Sequence, residues 1–197
     1  MNKKLKFGLI AALMILLLVG AGALYRHLSA GMKTAPLPGS TAATGTPDPA
    51  ATEQPKAPDF TAYDAEGNEA ALSSYLGKPI VLNFWASWCG PCRSEMPDFQ
   101  TAYELYGDEI HFVLVNMTDG ARETKETAMQ FVEEQGFTFP VLFDERSDAA
   151  IAYSVRTLPA TYFIDADGYA VAAARGMLNL ETLERGIGMI RAETPGE

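Results

Sequence analysis

Cysteine and histidine are nearly missing from this sequence, which holds two of each: Cys89 and Cys92, His27 and His111. A structural zinc site asks for four Cys or His ligands. Here the thiols could be joined only by His27, beside a long uncharged run, and His111, at the start of an apolar strand, so zinc is excluded. No cysteine lies between that uncharged run and Cys89, which excludes a lipid-modified N-terminal cysteine. Basic residues are also scarce. The net charge is −10; residues 1–30 hold four of the fifteen Lys and Arg and no acid, leaving 11 basic against 25 acidic residues, about −14, in the remainder. Nucleic-acid binding, which calls for a basic face, is excluded on that ground, and the acidic surface serves solubility. The sequence has no nucleotide- or dinucleotide-binding motif and no internal repeat.

What the chain does have is enough apolar residue for one ordinary core: 48% hydrophobic and 10% aromatic over 197 residues. One domain plus appendages is the expectation. Lys3, Lys4 and Lys6 precede an uncharged run from Phe7 to Tyr25. As a helix that run spans roughly 28 Å, close to the hydrocarbon thickness of a bilayer. The basic residues before it place the N-terminus in the cytoplasm and the rest outside. Ala21-Gly22-Ala23 has the small-residue look of a signal-peptidase site, so a cleaved signal peptide is the competing reading. The length of the run favours an uncleaved anchor over residues 1–29, and either way the domain faces an extracytoplasmic space. Residues 30–57 are rich in Pro, Ala and Thr without apolar periodicity. They read as a tether reaching roughly 30 Å. The folded domain is expected over 58–197.

Within it, Phe60–Tyr63 and Glu69–Leu72 read as a hairpin about the turn Asp64–Asn68, and Ser73–Leu76 as one helical turn. Ile80–Trp85, His111–Asn116 and Phe139–Phe143 are apolar strands of the buried kind. Arg93–Tyr106 reads as a helix kinked by Pro97. Glu123–Gln135 reads as an amphipathic helix ended by Gly136, and Asp148–Tyr153 as a short helix. Thr161–Ile164 and Tyr169–Ala174 form a second hairpin, and Leu180–Ala192 a last helix with Leu183, Ile187 and Ile190 on one side. The sum is an α/β sandwich with a central mixed β-sheet flanked by helices.

Both cysteines fall in Trp88-Cys89-Gly90-Pro91-Cys92, between the strand Ile80–Trp85 and the helix. At a helix N-terminus the macrodipole and free N–H groups favour a thiolate, which is the nucleophile. Two intervening residues bring the second sulfur within reach of the first. The spacing therefore predicts a dithiol that cycles with a disulfide, against an inert bridge.

Ile80 to Glu95 resembles the thioredoxin family closely. Phe84-Trp85-Ala86-x-Trp88-Cys89-Gly90-Pro91-Cys92 is similar to its active-site signature, Pro97 to the proline of its kinked helix, and Leu158-Pro159-Ala160-Thr161 to its cis-proline loop. The anchor, the tether, the N-terminal hairpin, the helix inserted between sheet strands and the Phe163-Ile164-Asp165-x-x-Gly168 turn narrow the likeness to the TlpA/ResA branch, over about Pro58 to Ala192. The resemblance implies a thioredoxin-like fold and a membrane-anchored thiol-disulfide oxidoreductase.

One departure is informative. Where cytosolic thioredoxin keeps a buried acid six residues before the first cysteine, this chain has Asn83, which cannot take a proton. Glu95, three residues after Cys92, shares its helix face, and in the TlpA/ResA branch a glutamate there affects the acidity of the dithiol. A solvated helix glutamate is the plain alternative. Cys89 is expected to attack the substrate disulfide and Cys92 to resolve the mixed disulfide, with Glu95 as its base. Gly90-Pro91 stiffens the turn. Trp88 shelves over the site or simply packs. Leu158 and Pro159, if that bond is cis, would offer backbone for pairing with an extended substrate.

The Gly-Pro pair matches thioredoxin, at the reducing end of the scale, and so implies a reductase. The resemblance further implies electrons from a membrane thiol carrier of the CcdA or DsbD kind. It implies clients among disulfide-containing exported proteins such as apocytochrome c, and no cofactor beyond the Cys89–Cys92 couple itself. A dithiol oxidase or isomerase is the alternative on the same scaffold. A copper-binding accessory of the Sco type typically wants a wider Cys-x-x-x-Cys and a late histidine, and no histidine follows His111. A peroxidase of the peroxiredoxin type would place its cysteine differently.

Overall fold

The computed structural model of the chain describes residues 54–191. The expected anchor and most of the tether lie outside them. Among the described residues no helix is long and apolar enough to cross a membrane. A hairpin of β1 (Thr61–Tyr63) and β2 (Glu69–Ala71) is followed by a 3-10 turn at Leu72–Tyr75. Then come β3 (Ile80–Trp85), α1 (Gly90–Tyr106), β4 (His111–Asn116), α2 (Lys125–Gln135) and β5 (Val141–Phe143). The chain closes with α3 (Asp148–Ala152), β6 (Ala160–Ile164), β7 (Ala170–Arg175) and α4 (Leu180–Ile190).

The strands make one seven-stranded mixed sheet in the order β2-β1-β5-β4-β3-β6-β7. The expected thioredoxin-like architecture is what forms. β3, β4 and β5 are parallel, as their helical crossovers require, while β6 pairs antiparallel with β3 and β7 antiparallel with β6. Pro55 to Ala57, part of the tether by composition, run beside the β6–β7 turn: the Ala57 N–H donates to the Gly168 carbonyl at 2.9 Å and the Ala170 N–H to that of Pro55 at 2.9 Å.

β3 is buried along its whole length, so its unbroken apolar run reflects cover on both faces. Because side chains alternate, Val81 and Trp85 join Met96 and Phe99 of α1, Phe131 of α2, and Leu183 and Ile187 of α4. Ile80, Leu82 and Phe84 pack on the other face with Phe60, Leu72 and Tyr153. Each such side chain contributes about 1.5–3 kcal/mol of transfer free energy. By the same alternation Asn83 lies on the α1 face, a lone amide in an apolar layer. α4 approaches the sheet so closely that a methyl group on Gly186 would lie 2.1 Å from Cζ of Phe163.

Several elements begin or end a few residues from their sequence expectation: α1 starts at Gly90 rather than Arg93, and two of the differences have a clear local cause. α2 starts at Lys125, not Glu123, because Thr124 and Thr127 cap each other: the Thr127 N–H donates to Thr124 Oγ1 at 3.2 Å and the Thr124 N–H to Thr127 Oγ1 at 2.9 Å. That capping box turns Glu123 out of the helix. β5 is shorter than Phe139–Phe143, since Pro140 has no N–H for a ladder. At the other end of α2, Gly136 takes the left-handed conformation at φ 71° and ends the helix as expected.

Candidate active site

The polypeptide leaves β3 at Trp85 and turns within three residues, the Cys89 N–H donating to the Ala86 carbonyl at 3.1 Å. Cys89 is then the N-cap of α1, in extended conformation, with Pro91 in the first turn where its missing N–H has no helical partner anyway. Cys89 and Cys92 form a disulfide with Cα atoms 5.2 Å apart, so the structure is of the oxidised form. The Cys92 N–H donates to Cys89 Sγ at 3.2 Å. The sulfur of Cys89 therefore takes the place a capping oxygen usually holds, where N–H groups and the helix dipole favour negative charge. Cys89 is 5% exposed and Cys92 fully buried. Only the first sulfur can meet a large partner.

Glu95 lies one turn beyond Cys92 and is completely buried, which removes the reading of a solvated helix glutamate. Its Oε1 accepts from Asn83 Nδ2 at 2.9 Å and its Oε2 from the Leu178 N–H at 2.9 Å. Burial pushes its pKa up to about 7; the bonds from Leu178 and Asn83 oppose the rise and the charge of Asp98 adds to it. A carboxyl that exchanges its proton near neutrality, one turn from a buried thiol, is suited to acid-base work there. Once ionised it also opposes the thiolate that the helix N-terminus favours. With the pKa of Glu95 at about 7, that opposition grows as pH rises through neutrality.

Asn83 completes the group. It faces Thr161 across the β3–β6 register and donates to Thr161 Oγ1 at 3.0 Å. Its Oδ1 is buried without a hydrogen-bond partner. A flip of this amide would present that oxygen to a protonated Glu95, so one side chain can serve both protonation states. Asn83 stood out in the sequence as unable to take a proton. Its bond to Glu95, and the part played by the Leu178 backbone, did not.

The rim comes from four segments. Trp88 is 41% exposed, and the guanidinium of Arg122 lies 3.6 Å from its ring centroid, a cation–π contact. The Leu158–Pro159 bond is cis. Since Phe84 pairs with Ala160, the register sets Pro159 opposite Trp85 at the dithiol end of the sheet. The Pro159 carbonyl accepts from the Gly176 N–H at 2.9 Å, and Met177 beside it is 56% exposed. Gly90 and Pro91 are exposed, Pro159 is buried, and Leu158 is partly buried between the two apolar layers.

One residue of this neighbourhood was passed over in the sequence. Glu123 is fully buried, and its carboxylate accepts from the Ser87 N–H at 2.8 Å, from Ser87 Oγ at 2.7 Å and from Asn116 Nδ2 at 2.7 Å. The signals available were faint: an acid immediately before a Thr-x-x-Thr cap, and a polar Asn116 closing an apolar strand.

Similarity to known proteins agrees with this geometry. Residues 54–173 match the AhpC/TSA family. The chain is 37% identical over 136 residues to thiol-disulfide oxidoreductase ResA of Geobacillus kaustophilus, covering 68% of this chain and 76% of the relative. It is 34% identical over 133 residues to thioredoxin-like protein YneN of Bacillus subtilis, covering 68% and 77%. Among solved structures it resembles a putative thiol:disulfide interchange protein DsbE from Chlorobium tepidum, with TM-score 0.61, 31% identity, and coverage of 68% of this chain and 94% of that one.

Proposed function

This chain belongs to the AhpC/TSA family and is a thiol-disulfide oxidoreductase of the ResA type, and on that premise we propose that it reduces disulfides in exported proteins outside the cytoplasm. The observation that carries the reading is the Cys89–Cys92 couple at the N-terminus of α1 with a buried, proton-exchanging Glu95 one turn further on.

The cycle starts from the reduced protein. The Cys89 thiolate attacks one sulfur of the client disulfide, forming an intermolecular disulfide, and the displaced client sulfur leaves as a thiolate that takes up a proton. Cys92 then gives its proton to Glu95 and attacks Cys89 Sγ. The intermolecular bond breaks, the client's second thiolate leaves, and the Cys89–Cys92 disulfide closes. Two electrons have passed from the dithiol to the client, and no further carrier is needed within the domain. Exposed Trp88 and Met177 and the Leu158 side of the cis-proline loop offer an apolar rim and an extended backbone to a client strand. The Pro159 carbonyl is already engaged by Gly176, which leaves that pairing to Leu158.

The direction and setting belong to the same proposal. The Gly90-Pro91 pair favours reduction, residues 1–29 anchor the chain, and a membrane thiol carrier of the CcdA or DsbD kind restores the dithiol. Apocytochrome c is a client of the right chemistry. Equilibration with glutathione, read by mass spectrometry, is expected to give a potential near the −270 mV of thioredoxin; a value near −120 mV would make the protein an oxidase instead.

A further inference from the structure

We propose that Glu123 is a positioning residue for the dithiol, acting through Ser87 on the turn that carries Cys89; the inference rests on the exchange reading above. Ser87 stands two residues before the nucleophile, and its N–H and hydroxyl both donate to the two oxygens of one buried carboxylate, at 2.8 Å and 2.7 Å. That carboxylate is itself fixed from the sheet. Asn116, the last residue of β4, donates to it at 2.7 Å and accepts from Thr118 Oγ1 at 2.8 Å.

The loop that carries Glu123 is also braced from within. Asp119 Oδ1 accepts the N–H groups of Ala121, Arg122 and Glu123 at 2.8, 2.7 and 2.9 Å, and the Asp119 and Gly120 N–H groups donate to the Glu123 carbonyl at 3.1 and 3.0 Å. From the same loop Arg122 reaches over the ring of Trp88. Residues 119–123 thus hold the turn before Cys89 at two consecutive positions, Ser87 by hydrogen bonds and Trp88 by a cation–π contact.

The consequence differs between redox states. In the disulfide form Cys89 is also tied covalently to Cys92. In the dithiol form that tie is gone, and Cys89 is left with its backbone bonds to Ala86 and Arg93, its N-cap bond and the Ser87 clamp. The clamp therefore matters most in the state that attacks the client, where a displacement of about an ångström is enough to slow a reaction strongly. Losing a buried hydrogen bond to a charged group is of a size to permit such a displacement.

The test is glutathione-disulfide and insulin reduction by the full chain and its variants. Glu123→Ala is expected to lower kcat/KM about tenfold and to shift the equilibrium with glutathione toward the protein disulfide, because the reduced form loses more than the oxidised one. Glu123→Gln keeps a carbonyl oxygen for the Ser87 and Asn116 N–H groups and an amide for the Ser87 hydroxyl, and is expected to retain the rate within about twofold. Ser87→Ala, which removes only the hydroxyl bond, is expected to lose about threefold and replaces Glu123→Ala should that variant fail to fold. Wild-type rates in Glu123→Ala or Ser87→Ala, or a Glu123→Gln as slow as Glu123→Ala, would overturn the inference while leaving the exchange reading intact. A wild-type protein that turned over neither substrate would overturn both.

Discussion

Replacing Cys92 by alanine is expected to turn the protein into a trap. Cys89, at the surface end of the couple, can still attack a client disulfide, but the sulfur that would release it is gone. A covalent adduct should accumulate, visible as a slower band on a non-reducing gel and lost on reduction, while steady-state insulin reduction falls to the uncatalysed rate. Cys89→Ala should abolish turnover to the same extent and yield no adduct, because Cys92 is fully buried and cannot meet a client. An adduct with Cys89→Ala and none with Cys92→Ala would reverse the assignment of the two sulfurs. The Cys92→Ala variant, used on cell extracts, would identify the clients.

The second large effect is expected from Glu95→Gln, in two measurements with different origins. In the proposed cycle Glu95 is the proton acceptor of the release step, so turnover should rise through its pKa of about 7. The glutamine cannot accept a proton. That inflection should vanish, with a loss of about a hundredfold at pH 8 for a general base removed. The stability effect has the opposite sign. Glu95 is raised from 4.5 to about 7 in the folded state, so the native protein binds this proton more tightly than the unfolded chain. Its contribution is fully present below the unfolded value and is lost as pH rises to the folded one. Across that window the wild type should lose about 3 kcal/mol of unfolding free energy, and Glu95→Gln should not. The variant is accommodated because Asn83 Oδ1, buried without a partner, can accept from the new amide. Denaturant titrations of the oxidised proteins at both ends of the window measure this. Parallel slopes with pH in the two proteins would refute the buried-acid account.

The features legible in the sequence are those set by local spacing. Cys89 and Cys92 announce themselves by two intervening residues at a strand-to-helix turn. Glu95 follows from helical periodicity, and the alternation of buried strands and amphipathic helices yields the mixed sheet. The features that escaped are set by distant backbone. The Leu178 N–H that holds Glu95 comes from 83 residues away, and the Ser87–Glu123 pair spans 36. No periodicity reports such contacts. Glu123 was further disguised because an acid before a helix reads as a first-turn residue facing water. The capping pair Thr124 and Thr127 in fact starts the helix after it and leaves its carboxylate free to turn inward. Asn83 was half legible: its inability to titrate is plain from its identity, whereas its bond to Glu95 depends on α1 lying over that face of β3.

The central claim, that Cys89 and Cys92 form a couple exchanging electrons with a disulfide partner, is tested most directly by mass. Fully reduced protein is mixed with one equivalent of a disulfide-bonded protein, quenched in acid, and both species are weighed. The account predicts that this chain loses the mass of two hydrogens, located between Cys89 and Cys92, as its partner gains the same. A chain that kept its two thiols while its partner stayed oxidised would contradict it.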